Sequence, residues 1–394
     1  MKILYDYQIF QAQKFGGISR YFSELIDSID KNKMCDFELS LKYSQNYYIK
    51  QKIFFNKKIG ELKKYVTFLP GFEFKGKGKI YKFLRNIGII NYQYGINESY
   101  TINKLKKGDF DIFHPTYYRN YFLDFLGNKP FVLTVHDLIP EIYPINAGIE
   151  LLFLERKKDL IKRAAKIIAV SNNTKQDIIK FYGVDDYRIQ VIYHGSSLCK
   201  IKDLKIFNSD FLDKVPKYYL LFVGNRNGYK NFDFYIKSAY KLLIDDKHLN
   251  LVCAGGQNFN NEEIELFDQL KIINKIFYFD VNDEKLSYLY SNALAVVFPS
   301  LYEGFGIPIL EAFSCDCPVI LSDSSSFPEV ASDAAVYFEP GDQESILNAI
   351  QKVIYDKKFR DELILKGENR VKEFSWDKTA SQTVEVYKNL ISAQ

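Results

Sequence analysis

Residues 298–318, FPSLYEGFGIPILEAFSCDCP, bring together the end of a strand, a loop with glycines and the start of a helix. We predict that the strand ends at Phe298 and that the helix begins near Ile307. Pro308 falls in the first helical turn, where a missing N–H group costs nothing. A strand that leads through such a loop into a helix is typical of doubly wound α/β sheets, whose ligands bind at the carboxyl ends of the strands.

The same loop carries the side chains for a polar ligand. Gly304 and Gly306 allow a ligand to approach the backbone, and the exposed N–H groups at the helix start suit a diphosphate. Glu303 lies before the helix and Glu311 within it, and a carboxylate there can accept hydrogen bonds from sugar hydroxyls. The alternative is an ordinary strand–turn–helix, in which acids are favourable near a helix N-terminus.

Strand-like runs alternate with helical patterns on both sides of this loop, which predicts parallel sheets covered by helices on both faces. The alternation stops near residue 195 and restarts near 217, so we predict two doubly wound, Rossmann-like domains that face each other across a cleft. The predicted units are an N-terminal domain, a C-terminal domain and a final helix, at residues 1–196, 217–374 and 375–394.

Composition supports a globular protein and gives no sign of secretion. Of the 394 residues, 47% are hydrophobic and 26% charged, and the formal net charge is +4. The opening sequence MKILYDYQIF reads as a buried strand and not as a signal peptide. No apolar run is long enough to span a bilayer. The five cysteines are scattered, which favours reduced thiols. We therefore expect a cytoplasmic protein.

The basic charge is concentrated in residues 50–85, within a predicted insertion at about residues 45–90. Eleven basic residues and two acids give this segment a net charge of 11 − 2 = +9, and aromatic residues alternate with the charges. Such a composition suits an anionic membrane surface or an acidic glycan. The alternative is a solvated insertion without a partner. Contact with a membrane would place the protein at the inner face of the cell membrane.

Other candidate residues follow predicted strands. Arg226 and Lys230 come after a strand that ends at Gly224, and Gly16 and Gly17 lie between the first strand and a helix. The full G-x-G-x-x-G pattern is absent, which disfavours NAD. His136 ends another strand, as does His114, which we predict to line an acceptor surface with Tyr117 and Tyr118. Asp109 and Asp111 spell D-x-D, but they open a strand at the end that we expect to be remote from the cleft. We therefore interpret them as structural and predict no metal.

Together these motifs resemble the retaining glycosyltransferases of family 4. Glu303 and Glu311 match the E-x7-E motif of that family, and five further segments are similar to it: FGGISRYFSEL at 15–25, VHDLIP at 135–140, IIAVSNNTKQDI at 167–178, FVGNRNGYKN at 222–231 and FSWDKT at 374–379. The nearest branch is the mannosyltransferase B-like one. The resemblance implies the GT-B fold, with the final helix crossing back to pack on the N-terminal domain.

The resemblance also implies roles for the candidate residues. Glu303 would bind the donor sugar, and Glu311 the ribose of the nucleotide. Arg226 and Lys230 would neutralise the diphosphate, and His136 would lie beside the donor. The remaining donor contacts would come from the backbone of Gly16, Gly17, Gly224, Phe305, Gly306 and Ile307.

We therefore predict a retaining, metal-independent hexosyltransferase that needs no cofactor. The implied donor is GDP-mannose, with UDP-hexoses as the main rival, and the acceptor is a growing or lipid-linked glycan such as O-antigen. A sugar-nucleotide epimerase of the same fold and a non-catalytic glycan-binding protein are the alternatives. We do not expect nucleic acid as a partner, because that reading leaves the two acids of the E-x7-E motif unexplained.

Overall fold

The computed structural model describes residues 1–52, 75–76, 79–80, 95–144, 149–201, 206–207 and 209–392. Most of the basic segment at residues 50–85 lies outside these ranges, so its predicted contact with a membrane or glycan stays a prediction. No helix within the described ranges has both the length and the apolar character that crossing a membrane requires.

The N-terminal domain is built on parallel strands. Their bounds are β1 Lys2–Tyr5, β2 Asp36–Leu39, β3 Ile112–His114, β4 Val132–Val135, β5 Lys166–Ala169 and β6 Ile189–Val191. Pairing gives the orders β2-β1-β3 and β4-β5-β6, and a parallel bridge between Phe113 and Phe131 joins the two groups. Strand β2 was not predicted, because its sequence DFEL lies at an edge, is only partly buried and has no apolar run.

The helices of this domain lie between the strands, and the basic segment follows the third of them. Their bounds are Gln8–Ala12, Gly17–Lys31, Tyr47–Gln51, Gly95–Lys107, Ile139–Ile142, Ile149–Arg163 and Asn172–Tyr182. A short helix, Gln8–Ala12, lies between β1 and the glycine pair, and the pair leads into helix Gly17–Lys31.

The C-terminal domain has one six-stranded parallel sheet in the order β12-β11-β10-β7-β8-β9. The strands are β7 Tyr219–Val223, β8 Asn250–Ala254, β9 Ile276–Phe279, β10 Ala295–Phe298, β11 Val319–Ser322 and β12 Ala335–Phe338. The helices before and between them are Ser209–Lys214, Phe232–Asp245, Asn261–Gln269, Asp283–Asn292, Ile307–Ser314 and Phe327–Ala331. Strand β10 ends at Phe298 as predicted, and strands buried on both faces, like this one, are continuous apolar runs in the sequence.

Three helices end the chain, at Gln343–Tyr355, Lys357–Val371 and Trp376–Ser392. The last one returns to the N-terminal domain, where Trp376, Ala380 and Val384 join the core that contains Tyr21 and other buried residues of helix Gly17–Lys31. The predicted crossing of the final helix is thus confirmed, and so are the two Rossmann-like domains.

In each domain, the chain adds strands first on one side of a central strand and then on the other. This switch point marks where a ligand can bind. In the C-terminal sheet the chain adds β8 and β9 on one side of β7, and β10 to β12 on the other. The loops after β7 and β10 therefore border a crevice at their carboxyl ends. In the N-terminal sheet the equivalent point lies between β1 and β3, and the segment after β1 contains the glycine pair.

Candidate active site

The loop between β10 and helix Ile307–Ser314 lies against the N-terminal domain. A Cβ atom on Gly304 would stand 1.7 Å from the carbonyl oxygen of His136, so only glycine fits there. Gly306 has a φ of 97°, in the left-handed region that favours glycine. Ser171 and Thr174 donate hydrogen bonds to the Gly304 carbonyl, at 2.6 and 3.1 Å. The loop is thus held at the domain boundary by its own backbone.

Lys230 and Glu303 meet at the switch point of the C-terminal sheet. The Lys230 ammonium donates to Oε1 of Glu303, and both side chains are only 20% and 17% exposed. The Leu301 N–H donates to the Tyr229 carbonyl at 2.8 Å, which ties the β10 loop to the β7 loop. Ser325 accepts a hydrogen bond from the Glu303 N–H at 2.9 Å. Two residues predicted from separate motifs are therefore direct partners.

Two helix starts meet across the cleft near this pair. A Cβ on Gly17 would lie 4.0 Å from Cδ1 of Ile307, so helix Gly17–Lys31 and helix Ile307–Ser314 approach each other at their N-termini. Gly16 and Gly306 precede them, and a glycine offers no side chain to cap the first N–H groups. This juxtaposition favours an anion between the domains.

Glu311 is buried in helix Ile307–Ser314 and is paired with the other domain. Its Oε1 accepts a hydrogen bond from Nη1 of Arg20, whose Nη2 donates to Asp283. Its Oε2 is 3.5 Å from the Tyr290 hydroxyl. Burial raises the pKa of Glu311, and the Arg20 charge opposes that rise. Arg20 was not predicted as a site residue, although a cation in the first turn of a helix is unfavourable and was a visible signal.

Arg226 is held by Glu263 and by neighbouring backbone carbonyls. Its Nε donates to Oε1 of Glu263 at 2.5 Å, its Nη2 donates to the Gln257 carbonyl at 2.7 Å, and its guanidinium lies 4.8 Å from the Phe259 ring centroid. It borders a polar cavity of about 420 Å³ together with Lys237 and other residues. The structure therefore does not pair Arg226 with Lys230, and its role at a diphosphate stays a prediction. Gly224 follows β7, and its N–H donates to the Ala254 carbonyl at 2.9 Å.

His136 lies directly beneath the β10 loop and is uncharged. Its ring packs edge-on against Tyr21 at 5.1 Å and stacks on His194 at 6.1 Å. Burial lowers the pKa of His136 to about 3. Among the residues that the structure describes, none forms a hydrogen bond with its Nε2. Phe305 packs edge-on against the His194 ring at 4.6 Å, so its side chain closes the floor of the cleft while its backbone continues to Gly306.

His114 is a core residue, which corrects its predicted place on an open acceptor surface. It is fully buried, with Nδ1 2.6 Å from the Tyr387 hydroxyl and Nε2 3.0 Å from Oγ1 of Thr134. The Tyr118 hydroxyl accepts a hydrogen bond from the His136 N–H at 3.1 Å, so Tyr118 supports the site from within. Tyr117 is half-buried, and its ring packs against the Tyr118 ring at a tilt of 41°, with the centroids 4.9 Å apart.

The D-x-D carboxylates lie at the amino end of β1. The Lys2 ammonium donates to Asp109 at 2.6 Å, and the Lys2 N–H donates to Asp111 at 2.7 Å. Within the described ranges, no group of three or more His, Cys, Asp or Glu side chains is arranged to hold a metal ion. The expectation that transfer needs no metal stays a prediction.

Two Rossmann-like domains that meet at the carboxyl ends of their parallel sheets are the architecture of the GT-B class of glycosyltransferases. Comparisons with known proteins give the family. Residues 84–198 match the family model "Glycosyltransferase Family 4", and residues 206–370 match "Glycosyl transferases group 1". The chain belongs to glycosyltransferase family 4.

Similar proteins cover most of the chain. The O-antigen chain mannosyltransferase RfbU of Salmonella typhimurium is 35% identical over 56% of this chain and 60% of its own length. The O-antigen chain mannosyltransferase B of Escherichia coli is 30% identical over 66% of this chain and 70% of its own length. Among solved structures, the sucrose-phosphate synthase of Thermosynechococcus elongatus superposes with a TM-score of 0.72 at 18% identity, covering 100% of this chain and 99% of that one.

Proposed function

We propose that this glycosyltransferase moves a hexose from a nucleotide diphosphate sugar to a growing glycan, with retention of configuration at the transferred carbon. The observation that carries the proposal is the Lys230–Glu303 pair, which lies at the switch point near the starts of helices Gly17–Lys31 and Ile307–Ser314. A cation, a carboxylate and the N-terminus of helix Ile307–Ser314 in one cleft suit a diphosphate joined to a sugar.

Each residue has a distinct part in the proposed reaction. Lys230 stabilises the negative charge that builds on the departing diphosphate, and Glu303 accepts hydrogen bonds from the sugar hydroxyls. The neutral ring of His136 offers a hydrogen-bonding group beside the sugar, not a charge. The acceptor hydroxyl attacks from the same face that the diphosphate leaves, and its proton passes to an oxygen of that phosphate. Glu311 binds the ribose hydroxyls of the nucleotide.

We further propose mannose from GDP-mannose as the donor, and a glycan such as O-antigen or another surface polysaccharide as the product. The names of the Salmonella and Escherichia coli relatives support this choice of sugar and acceptor. A UDP-hexose is the main rival donor. A lipid-linked acceptor would bring the protein to the inner face of the cell membrane, where the basic segment would hold it.

A donor panel tests the proposal. The protein is incubated with GDP-mannose or a UDP-hexose, with and without a lipid-linked glycan acceptor and with and without EDTA. The expected result is acceptor-dependent release of GDP and a glycan one α-mannose longer, unchanged by EDTA. Conversion of a UDP-sugar without acceptor would indicate an epimerase. Glycan binding without turnover of any donor would indicate a binding protein.

A further inference from the structure

Arg20 connects the two domains at the centre of the proposed nucleotide site. It lies in helix Gly17–Lys31 of the N-terminal domain, and its guanidinium donates to Glu311 and to Asp283 of the C-terminal domain. The Tyr48 ring covers it, with Cζ 4.7 Å from the ring centroid. Arg20 and Glu311 are each only 5% exposed. The contact is therefore a buried, charge-assisted bridge between domains and not a surface ion pair.

The position of Arg20 is unfavourable for its own helix. It falls in the first turn of helix Gly17–Lys31, where the helix dipole repels a cation. Burying a guanidinium also requires that its charge be matched. In the closed arrangement, the carboxylates of Glu311 and Asp283 from the other domain supply that match.

The bridge uses one carboxylate oxygen of Glu311. Arg20 donates to Oε1, whereas Oε2 has a long contact of 3.5 Å with the Tyr290 hydroxyl among the residues that the structure describes. A carboxylate oxygen accepts more than one hydrogen bond, so Oε2 can accept from a ribose hydroxyl without displacing Arg20. Glu311 can thus accept hydrogen bonds from Arg20 and from a ribose hydroxyl at the same time.

We propose that Arg20 is a positioning residue of the nucleotide site: it holds Glu311 oriented and ionised from the opposite domain, so that nucleotide binding depends on domain closure. This inference rests on the proposed role of Glu311 in binding ribose. Arg20 acts through Glu311 and does not itself touch the nucleotide.

The charges around Glu311 predict how the effect depends on pH. Burial raises the pKa of Glu311, the Arg20 charge lowers it, the Asp283 charge raises it and the hydrogen bond from Tyr290 lowers it. The groups packed there are Asp283 and Tyr290 on one helix, Tyr48 on another, and Cys315 after its own helix. Burial raises the pKa of Tyr48 and Cys315 to about 12 and that of Tyr290 well above its ordinary value, so these three stay neutral near pH 7. Without Arg20, Glu311 gains a proton more readily as the pH falls.

Calorimetric titration with GDP and with UDP, at pH 8 and pH 6, tests the inference on the full chain. For the nucleotide that binds, Arg20→Met is expected to weaken binding about tenfold at pH 8, the usual effect of losing a charge-assisted hydrogen bond. The ratio of the variant's Kd to that of the wild type should grow as the pH falls from 8 to 6, because burial raises the pKa of Glu311 and the Arg20 charge no longer opposes that rise. Arg20→Lys keeps a cation and should recover most of the loss of affinity. Asp283→Asn removes one of the two carboxylates that hold Arg20 but leaves Arg20 on Glu311, so it should weaken binding less than Arg20→Met does.

A double variant separates the inference from the proposed function. Glu311→Gln alone should weaken binding with no extra pH dependence, and adding Arg20→Met to it should cost little more. If the two losses add in full, Arg20 contacts the nucleotide by itself and the inference is wrong. If Glu311→Gln weakens binding and Arg20→Met does not, the inference is also wrong, while the proposed function stands. If Glu311→Gln binds normally, the proposed role of Glu311 fails and the inference fails with it.

Discussion

Gly304 packs its α-carbon directly against the carbonyl of His136, backbone to backbone across the domain boundary. His136 follows β4 of one sheet and Gly304 follows β10 of the other, so the contact joins the carboxyl ends of two parallel sheets. The hydrogen bonds from Ser171 and Thr174 to the Gly304 carbonyl hold the same place from the side. The cleft can close in this way only because Gly304 has no side chain.

Gly304→Ala should therefore keep the domains from closing. The added methyl group would stand 1.7 Å from the His136 oxygen, and neither backbone can give way cheaply. We expect turnover to fall more than about tenfold, since an active site misplaced by 1 Å loses up to about a hundredfold. Kinetic assays check this, with Gly341→Ala as the control. Gly341 has a φ of 96° but nothing within 4 Å of the added methyl, so it reports backbone strain alone. Equal losses in the two variants would contradict the prediction.

Local sequence patterns predicted much of the site, and long-range ion pairs account for the rest. Lys230 and Glu303 could be predicted as neighbours, because the loops that carry them follow strands at one switch point. Arg20 could not be placed on its partners, since Glu311 is 291 residues away and Asp283 is 263. Its charge at the helix start was visible in the sequence, but which acid compensates it depends on how two separately folded sheets dock.

Substitutions of Lys230 and of Glu303 should lower turnover to different degrees. Lys230→Met removes a preorganised cation from the departing diphosphate, and we expect the barrier to transfer to rise by about 2–4 kcal/mol. Glu303→Gln leaves a hydrogen-bond acceptor and should lower turnover less than Glu303→Ala does. Measurements of kcat and KM with the preferred donor check both. Activity of Lys230→Met within threefold of the wild type would remove Lys230 from the site.

Arg226 gives a prediction that distinguishes a structural role from a catalytic one. Its guanidinium and the Glu263 carboxylate form a nearly buried pair, and Glu263 also closes the capping box of Asn260. Removing one member of such a pair leaves an unmatched buried charge, so Arg226→Met should lower the free energy of unfolding by about 3 kcal/mol or more. Urea unfolding measures this. Arg226→Met paired with Glu263→Gln should recover much of the stability. If turnover recovers with it, Arg226 acts through structure; if only stability recovers, Arg226 acts at the diphosphate as the resemblance implies.

Composition alone predicts a membrane contact for residues 50–85, which the structure leaves largely undescribed. Each basic residue near an anionic surface contributes about 1 kcal/mol, so even a third of this segment would give peripheral binding. We expect sedimentation with anionic vesicles at low salt and release as salt shortens the Debye length. Changing Lys57, Lys58, Lys63 and Lys64 to Glu should abolish sedimentation while turnover on a short soluble acceptor survives. Wild-type protein that ignores such vesicles would favour a glycan or protein partner for the segment.

The buried histidines could not be interpreted from sequence, because a histidine at a strand end is equally compatible with a site and with a core. His114 and His136 are both buried, and burial lowers the pKa of each to about 3 from the ordinary value of 6.5. Burial lowers the pKa of His194 as well. What separates the three is contact: His136 lies under the β10 loop, whereas His114 bonds to the final helix through Tyr387.

These lowered values make the fold sensitive to acid. Between pH 6.5 and about 3 the unfolded chain takes up protons on these histidines and the folded chain does not. The contribution of these histidines to the free energy of unfolding is therefore fully present above pH 6.5. Below that pH it falls by about 1.4 kcal/mol per pH unit for each such histidine. His114→Gln removes one titrating group while keeping a donor and an acceptor for Thr134 and Tyr387. Urea unfolding from pH 6 to pH 5 gives the slope of the free energy of unfolding against pH, and in His114→Gln this slope should be smaller by about one proton. The matched control is His248→Gln at an exposed histidine, which should leave the slope unchanged. An unaltered slope in His114→Gln would mean that His114 is charged in the folded protein.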